Sequence, residues 1–193
     1  MLHKPFSPRR LAAAQCLIWV LAAAPAGACG YHGLIGDAFS ASYPGSIDVA
    51  IALRTALDRN QLKAAPAMPP LMGLVRSTRW LEDFGRWAGE SPTANAPDFA
   101  VLLVEPGLWT RYRKQGSGFA MESHVAAPST GDVVLITGET ALQALVERRL
   151  TLAGALKTGV VRLEGAPEAV ARLQQTLAAA FSAEPPRGLT ASR

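Results

Sequence analysis

DFAVLLVEPGLWTRYRKQGSGFAMESHV, residues 98–125, is the stretch on which the fold turns. Its first eight residues have the length and composition of a buried strand. Phe99, Val101 and Leu103 fall on one face, Ala100, Leu102 and Val104 on the other. Pro106-Gly107 breaks the run as a turn. Leu108 to Lys114 then returns, with Leu108, Thr110 and Tyr112 opposite Trp109, Arg111 and Arg113. After a second turn at 115–118, Phe119 to Val125 alternates again. Asp132 to Thr137 (DVVLIT) adds a fourth strand, and Val160 to Glu164 a fifth. Strands that follow one another through short turns pair antiparallel, so the expectation is an α+β domain whose antiparallel sheet of about five strands is covered by helices.

The helices flank this sheet. Ser46 is placed to cap a helix running to about Asn60, with Asp48 in its first turn. Ile47, Ala50, Ile51 and Leu57 form its apolar face, widened by Val49 and Leu53. Pro66, Pro69 and Pro70 interrupt the pattern. A second helix, Leu71 to Ala88, carries Leu71, Leu74, Val75, Leu81 and Phe84 at helical spacing, flanked by Trp80 and Trp87. Beyond the sheet come a short helix at Ala141 to Val146 and another from a Thr151 cap to Lys157, ended by Gly159. A terminal helix has its stripe at Val170, Leu173, Leu177, Ala180 and Phe181. The expected division is a signal peptide at 1–28, an extended lead-in at 29–45, a single domain at 46–184 with two extra N-terminal helices, and a disordered tail at 185–193.

The amino terminus, MLHKPFSPRRLAAAQCLIWVLAAAPAGACG, has the form of an export signal. Lys4, Arg9 and Arg10 precede an uncharged stretch from Leu11 to Ala24, and Ala26-Gly27-Ala28 offers the small residues read at cleavage. Removing those three cations from 19 basic residues leaves 16 against 15 acidic, so three of the four net positive charges belong to the leader, and the near-neutral remainder has no general footprint for nucleic acid. Cys16 leaves with the leader, and Cys29 has no partner for an internal disulfide. Ala26-Gly27-Ala28-Cys29 resembles a lipobox. Acylation at Cys29, with a diacylglyceryl group and an N-acyl chain such as palmitate, would tether the protein to a membrane. The alternative is a periplasmic accessory protein acting through protein–protein contacts or through a metal held by Cys29 and His32, which lie three apart.

Catalytic patterns do not emerge. Gly116-Ser117-Gly118 lacks the frame of a nucleophile elbow, and GETALQ after Thr137 lacks the Gly-Lys-Ser/Thr ending of a phosphate loop. The expectation is a protein that is not an enzyme and has no cofactor.

Residues 131–181, GDVVLITGETALQALVERRLTLAGALKTGVVRLEGAPEAVARLQQTLAAAF, resemble the C-terminal half of the sterol-carrier-protein (type 2) family. Val134 to Thr137 matches that family's strand. Arg149-Leu150 matches a Gly-[Arg/Lys]-Leu step, with Arg148 where the family usually has glycine. Ala153 to Gly159 and Val160 to Gly165 match the next helix and closing strand. The meander from Phe99 extends the resemblance over about residues 98–181. It implies a sheet and helices around an apolar seat for a lipid or other apolar small molecule. Phe99, Val101, Leu103, Trp109, Phe119, Leu173, Leu177 and Phe181 are then the candidate pocket residues. The implied function is an exported binding protein, a carrier or container in the bacterial periplasm, held on a membrane if Cys29 is acylated.

Overall fold

The computed structural model describes residues 43–90 and 95–182. The expected signal peptide at 1–28, Cys29, His32 and the expected tail at 185–193 lie outside the described residues. Five strands form one sheet: β1 (Phe99–Leu103), β2 (Leu108–Gln115), β3 (Gly118–Ser123), β4 (Val133–Thr137) and β5 (Val161–Glu164). Among the described residues five helices accompany it: α1 (Ser46–Asp58), α2 (Pro70–Gly89), α3 (Glu139–Val146), α4 (Leu152–Thr158) and α5 (Pro167–Ala180). The strand order is β3-β2-β1-β4-β5. The fold is α+β, with a mixed sheet that is mostly antiparallel.

One pairing departs from the meander. β4 does not extend the sheet beyond β3. The chain crosses back, and β4 takes the open edge of β1 in parallel, from Phe99 opposite Val133 to Leu103 opposite Thr137. The physical reason is burial. Every residue of β1 and β4 is buried, whereas β3 is half-exposed along most of its length. Strands apolar on both faces belong at the centre of a sheet between two covering layers, and a half-wet strand belongs at its edge.

Alternation and register assign the two faces. Trp109, Leu102, Ile136 and Arg162 form one row across the sheet. α1 lies over that side: Asp48 pairs with Arg162 at 3.0 Å, and Tyr43 meets the Trp109 ring edge-on at 5.6 Å. Phe99, Tyr112 and Met121 lie on the opposite side, under α2 and α5. The two N-terminal helices are thus split between the faces.

Their inward stripes differ from the expected ones. On α1, Val49, Leu53 and Ala56 are buried while Ile47 and Ile51 are exposed. Gly45, at φ 88°, precedes the helix, and the Ser46 hydroxyl bonds back to Tyr43 rather than capping. On α2, the inward residues are Gly73, Ser77, Leu81, Phe84, Gly85 and Ala88, which turns Leu71 and Val75 outward. Small residues set this rotation because they allow the helix to come close. Thr151 does cap α4 by accepting the Gly154 N–H at 3.0 Å, and Gly159 closes it at φ 75°. Arg148 has φ 57°, a conformation that favours glycine, and its guanidinium lies 4.5 Å from the centre of the Trp87 ring.

Along α2, the closest approach of a glycine to the sheet is at Gly85. A Cβ there would sit 2.5 Å from Cε1 of Tyr112. That ring has nowhere to go: it stacks on Phe99 at 4.7 Å, and its hydroxyl donates to the Leu81 carbonyl at 2.7 Å. Gly85→Ala is therefore expected to lower stability by about 1–3 kcal/mol through overpacking. Helix propensity alone would raise it by roughly 1 kcal/mol. The sign of the shift in the urea midpoint decides between the two.

Candidate ligand-binding site

The face of the sheet under α2 and α5 holds a layer of aromatic rings. Phe84 from α2 meets Phe99 at 6.3 Å and Tyr112 at 6.1 Å, both edge-on. Phe181, just beyond α5, stacks on Phe84 at 4.9 Å, and Phe119 from β3 meets Phe99 edge-on at 5.1 Å. Each element contributes by its own period. Alternate strand residues put Phe99 and Tyr112 on one side, and helical spacing puts Phe84 and Leu81 on the inward side of α2.

Seven of the eight sequence candidates belong to this side. Phe99, Phe119 and Phe181 join through the rings. Val101 and Leu103 share the face of Phe99, and Leu173 and Leu177 are the fully buried stripe of α5. Trp109 is not among them. It points to the opposite face, under Tyr43. Phe84 and Tyr112 complete the layer; strand alternation grouped Tyr112 with Leu108 and Thr110, and Phe84 lay in the α2 stripe.

The layer is almost wholly apolar, and its polar atoms are informative. Tyr112 keeps its proton, because burial pushes the phenol well above its ordinary value of 10, with the charge of Glu82 adding to this. Its hydroxyl is satisfied by Leu81. The Thr110 hydroxyl, beside Val101 in the register, is fully buried and has no hydrogen-bond partner among the described residues. On the far face the Trp109 indole N–H is likewise buried without a partner.

Charged groups gather at the rims. Arg111 grips Asp132 with two bonds of 2.9 and 3.0 Å, and Asp132 also accepts the Ser129 N–H. Beyond the C-terminal ends of β1 and β4, the Glu139 N–H donates to the Glu105 carboxylate at 3.1 Å. The Ser77 hydroxyl donates to the Glu139 carboxylate, and Arg76 approaches it at 3.5 Å. These bonds tie α2 to the start of α3. A surface depression of about 460 Å³ lies between α1 and the end of α4, bordered by Ile51, Ala52, Arg59 and Lys157.

No family model matches the chain, and no curated protein matches it. Solved structures show partial likenesses. A sterol carrier protein 2-like protein from Aedes aegypti is 18% identical, with 52% of this chain aligned to 95% of that one and a TM-score of 0.36. The stereoselective inverting sec-alkylsulfatase Pisa1 from Pseudomonas sp. is also 18% identical, over 48% of this chain, with a TM-score of 0.35. This chain spans only 14% of the length of that sulfatase.

Glu105 gives the rim a pH dependence. The residue as a whole is exposed, but its carboxyl oxygens lie against Gly138 beside Leu53. Burial raises its pKa above 4.5, outweighing the backbone hydrogen bonds that lower it, and the Glu139 charge adds to the rise. A raised folded-state pKa means that the protonated form fits the fold better. That contribution is complete below the unfolded value and is lost as pH rises through the folded one. Relative to Glu105→Gln, the wild type should lose stability as pH climbs above 4.5. Parallel urea midpoints for the two proteins across the carboxylate range would contradict this.

Proposed function

We propose that this protein is an exported, non-catalytic binding protein for an apolar small molecule or lipid, serving as its carrier or container. The ligand's seat is the ring layer between the sheet and α2 with α5. One observation carries the reading: a buried hydroxyl, Thr110 Oγ1, has no hydrogen-bond partner among the described residues and stands beside an almost wholly apolar, aromatic layer. Sites for apolar ligands combine apolar walls with a few polar groups that fix orientation. An unsatisfied buried hydroxyl costs the fold about 1–3 kcal/mol, which a ligand's polar atom can recover. Ring–ring contacts such as Phe84–Phe181 are exchanged for contacts of the same polarity when an acyl chain or ring system enters. Affinity then comes from buried apolar area.

Export and tethering complete the proposal. Residues 1–28 direct the chain to the bacterial periplasm, and acylation of Cys29 holds it at a membrane, where apolar cargo is found. The intact mass of the protein from its host reads the cleavage site and the state of Cys29 together.

Native mass spectrometry of the purified protein should show a retained lipid that denaturation releases. A fluorescent fatty acid should bind and be displaced by that lipid. Protein that holds no lipid and binds no fluorescent fatty acid would refute the carrier reading. Thr110→Val sharpens the test. It should raise the stability of ligand-free protein by about 1 kcal/mol, by removing the unsatisfied hydroxyl, and weaken binding of the fluorescent acid.

A further inference from the structure

Between α1 and α2 the chain runs over the surface without helix or strand. Lys63 to Pro69 reads KAAPAMP, and every residue of it is exposed except the half-buried Ala65. The run is held at two points. Leu62 is buried just before it, and the Pro66 carbonyl accepts a 2.9 Å bond from Arg76 Nη1. Helix α2 itself requires only Pro70, which at the first position lacks an N–H that would have no helical partner there. Pro66 lies outside the helix. Pro69 occupies the capping position without a side chain that can accept a helix N–H. Neither serves α2.

Proline dictates the conformation of the run. Pro66, Pro69 and Pro70 restrict their own φ, and each pushes the residue before it, Ala65, Met68 and Pro69, to extended backbone. Pro69 has φ −54° and ψ 144°, in the polyproline II region. Such a helix has three residues per turn, so Lys63, Pro66 and Pro69 share one edge and Ala64 and Ala67 a second. The third edge holds Ala65 and leans on the protein, while the other two face water. The carbonyls of Ala64, Ala65, Ala67 and Met68 accept no hydrogen bond from the described residues. Lys63 is within electrostatic reach of Glu147 but makes no ion pair among the described residues. Gln143 and Arg149 hold that carboxylate, at 2.7 and 2.6 Å.

We propose that Lys63–Pro69 is a docking segment for a partner domain whose groove is lined by aromatic rings and bordered by acidic side chains. Grooves of that kind read proline-rich segments by their polyproline II shape. The prolines at 66 and 69, one turn apart on an outward edge, pack between the rings. Tryptophan N–H and tyrosine O–H groups at the mouth of the groove meet the open carbonyls. Lys63, one turn before Pro66, faces the acidic border and sets the direction of the segment in the groove. The fold already holds the bound shape, so little ordering cost remains on association. A stiff linker would explain prolines in any order; a base, then proline three and six residues later, is the order a groove reads. This docking depends neither on a ligand in the ring layer nor on acylation of Cys29.

The probes are purified, isotope-labelled SH3 domains selected for ligands of the form basic-x-x-Pro-x-x-Pro, titrated with full-length protein and followed by NMR. At least one domain should bind, with its shifts confined to the aromatic groove. A synthetic peptide of residues 62–72, LKAAPAMPPLM, should compete for the same groove. Pro66→Ala with Pro69→Ala should weaken binding at least about tenfold, and Lys63→Glu should weaken it as well. Helix content should not change, because both prolines are exposed and the variant keeps the Pro66 carbonyl that Arg76 holds. If the double variant fails to fold, the peptide bearing the same two substitutions decides, and undiminished competition by it overturns the proposal. So does the absence of binding across the set, equal binding by the double variant, or shifts that fall outside the groove. Binding of the peptide but not of the full-length protein overturns it too, since the segment would then be closed to a partner in the folded chain.

Discussion

The position of the Tyr112 ring is the constraint on which the rest of the structure depends. It is gripped from three sides: Gly85 against its edge, Phe99 against its face, and the Leu81 carbonyl on its hydroxyl. These contacts join α2 to β2 and β1 in one step. Four residues later along α2, Gly89 continues the approach; a Cβ there would lie 3.0 Å from the Gly118 backbone at the start of β3. With the C-terminal half of α2 pressed this closely on the β2–β3 hairpin, Phe84 must project between Phe99 and Phe181. The ring layer is thus a consequence of how near the helix comes, and glycine determines that distance.

The same grip fixes the rotation of α2, and here the sequence was only partly legible. Helical spacing located the helix nearly to its ends. It assigned Leu71 and Val75 inward because they are large and apolar and in phase with Leu81 and Phe84. The register that wins is the one in which Gly73, Ser77 and Gly85 face in. A period-based reading weighs apolar size, while close packing here rewards its absence. On α1 the difference is a rotation of the same kind, since Val49, Leu53 and Ala56 are buried where Ile47 and Ile51 had the stronger hydrophobicity.

Strand positions were legible for a firmer reason, since alternation and turn residues are local. Pairing is not local. The clue to the parallel β1–β4 pair was present in composition: FAVLL and VVLIT are apolar on both faces, whereas LWTRYRKQ and GFAMES mix polar residues in. Continuity of apolar character marks a central strand, and two central strands are neighbours, whatever lies between them in the chain. The candidate pocket residues followed the same division. Those chosen by strand face or helix stripe came together, and Trp109, whose own alternation set it opposite Tyr112, stands on the other side. The unpartnered hydroxyl of Thr110 was not foreseeable, because a hydrogen-bond deficit belongs to the assembled layer and not to any residue in it.

The two ends of α2 are held by different physics. The C-terminal half is fixed by ring packing and backbone contact, which exclude water. The N-terminal half is tied by polar bonds from Arg76 and Ser77 to Glu139, whose own N–H rests on Glu105. Separating the buried rings exposes apolar area at the full hydrophobic cost. Breaking the polar tie strands the hydroxyl of a fully buried Ser77 and a Glu139 carboxylate whose side chain is only 12% exposed, so it is costly as well. Both ends of α2 are therefore held against water, one by apolar area and the other by hydrogen bonds, while the start of the helix also bears the exposed Leu71, Met72 and Val75.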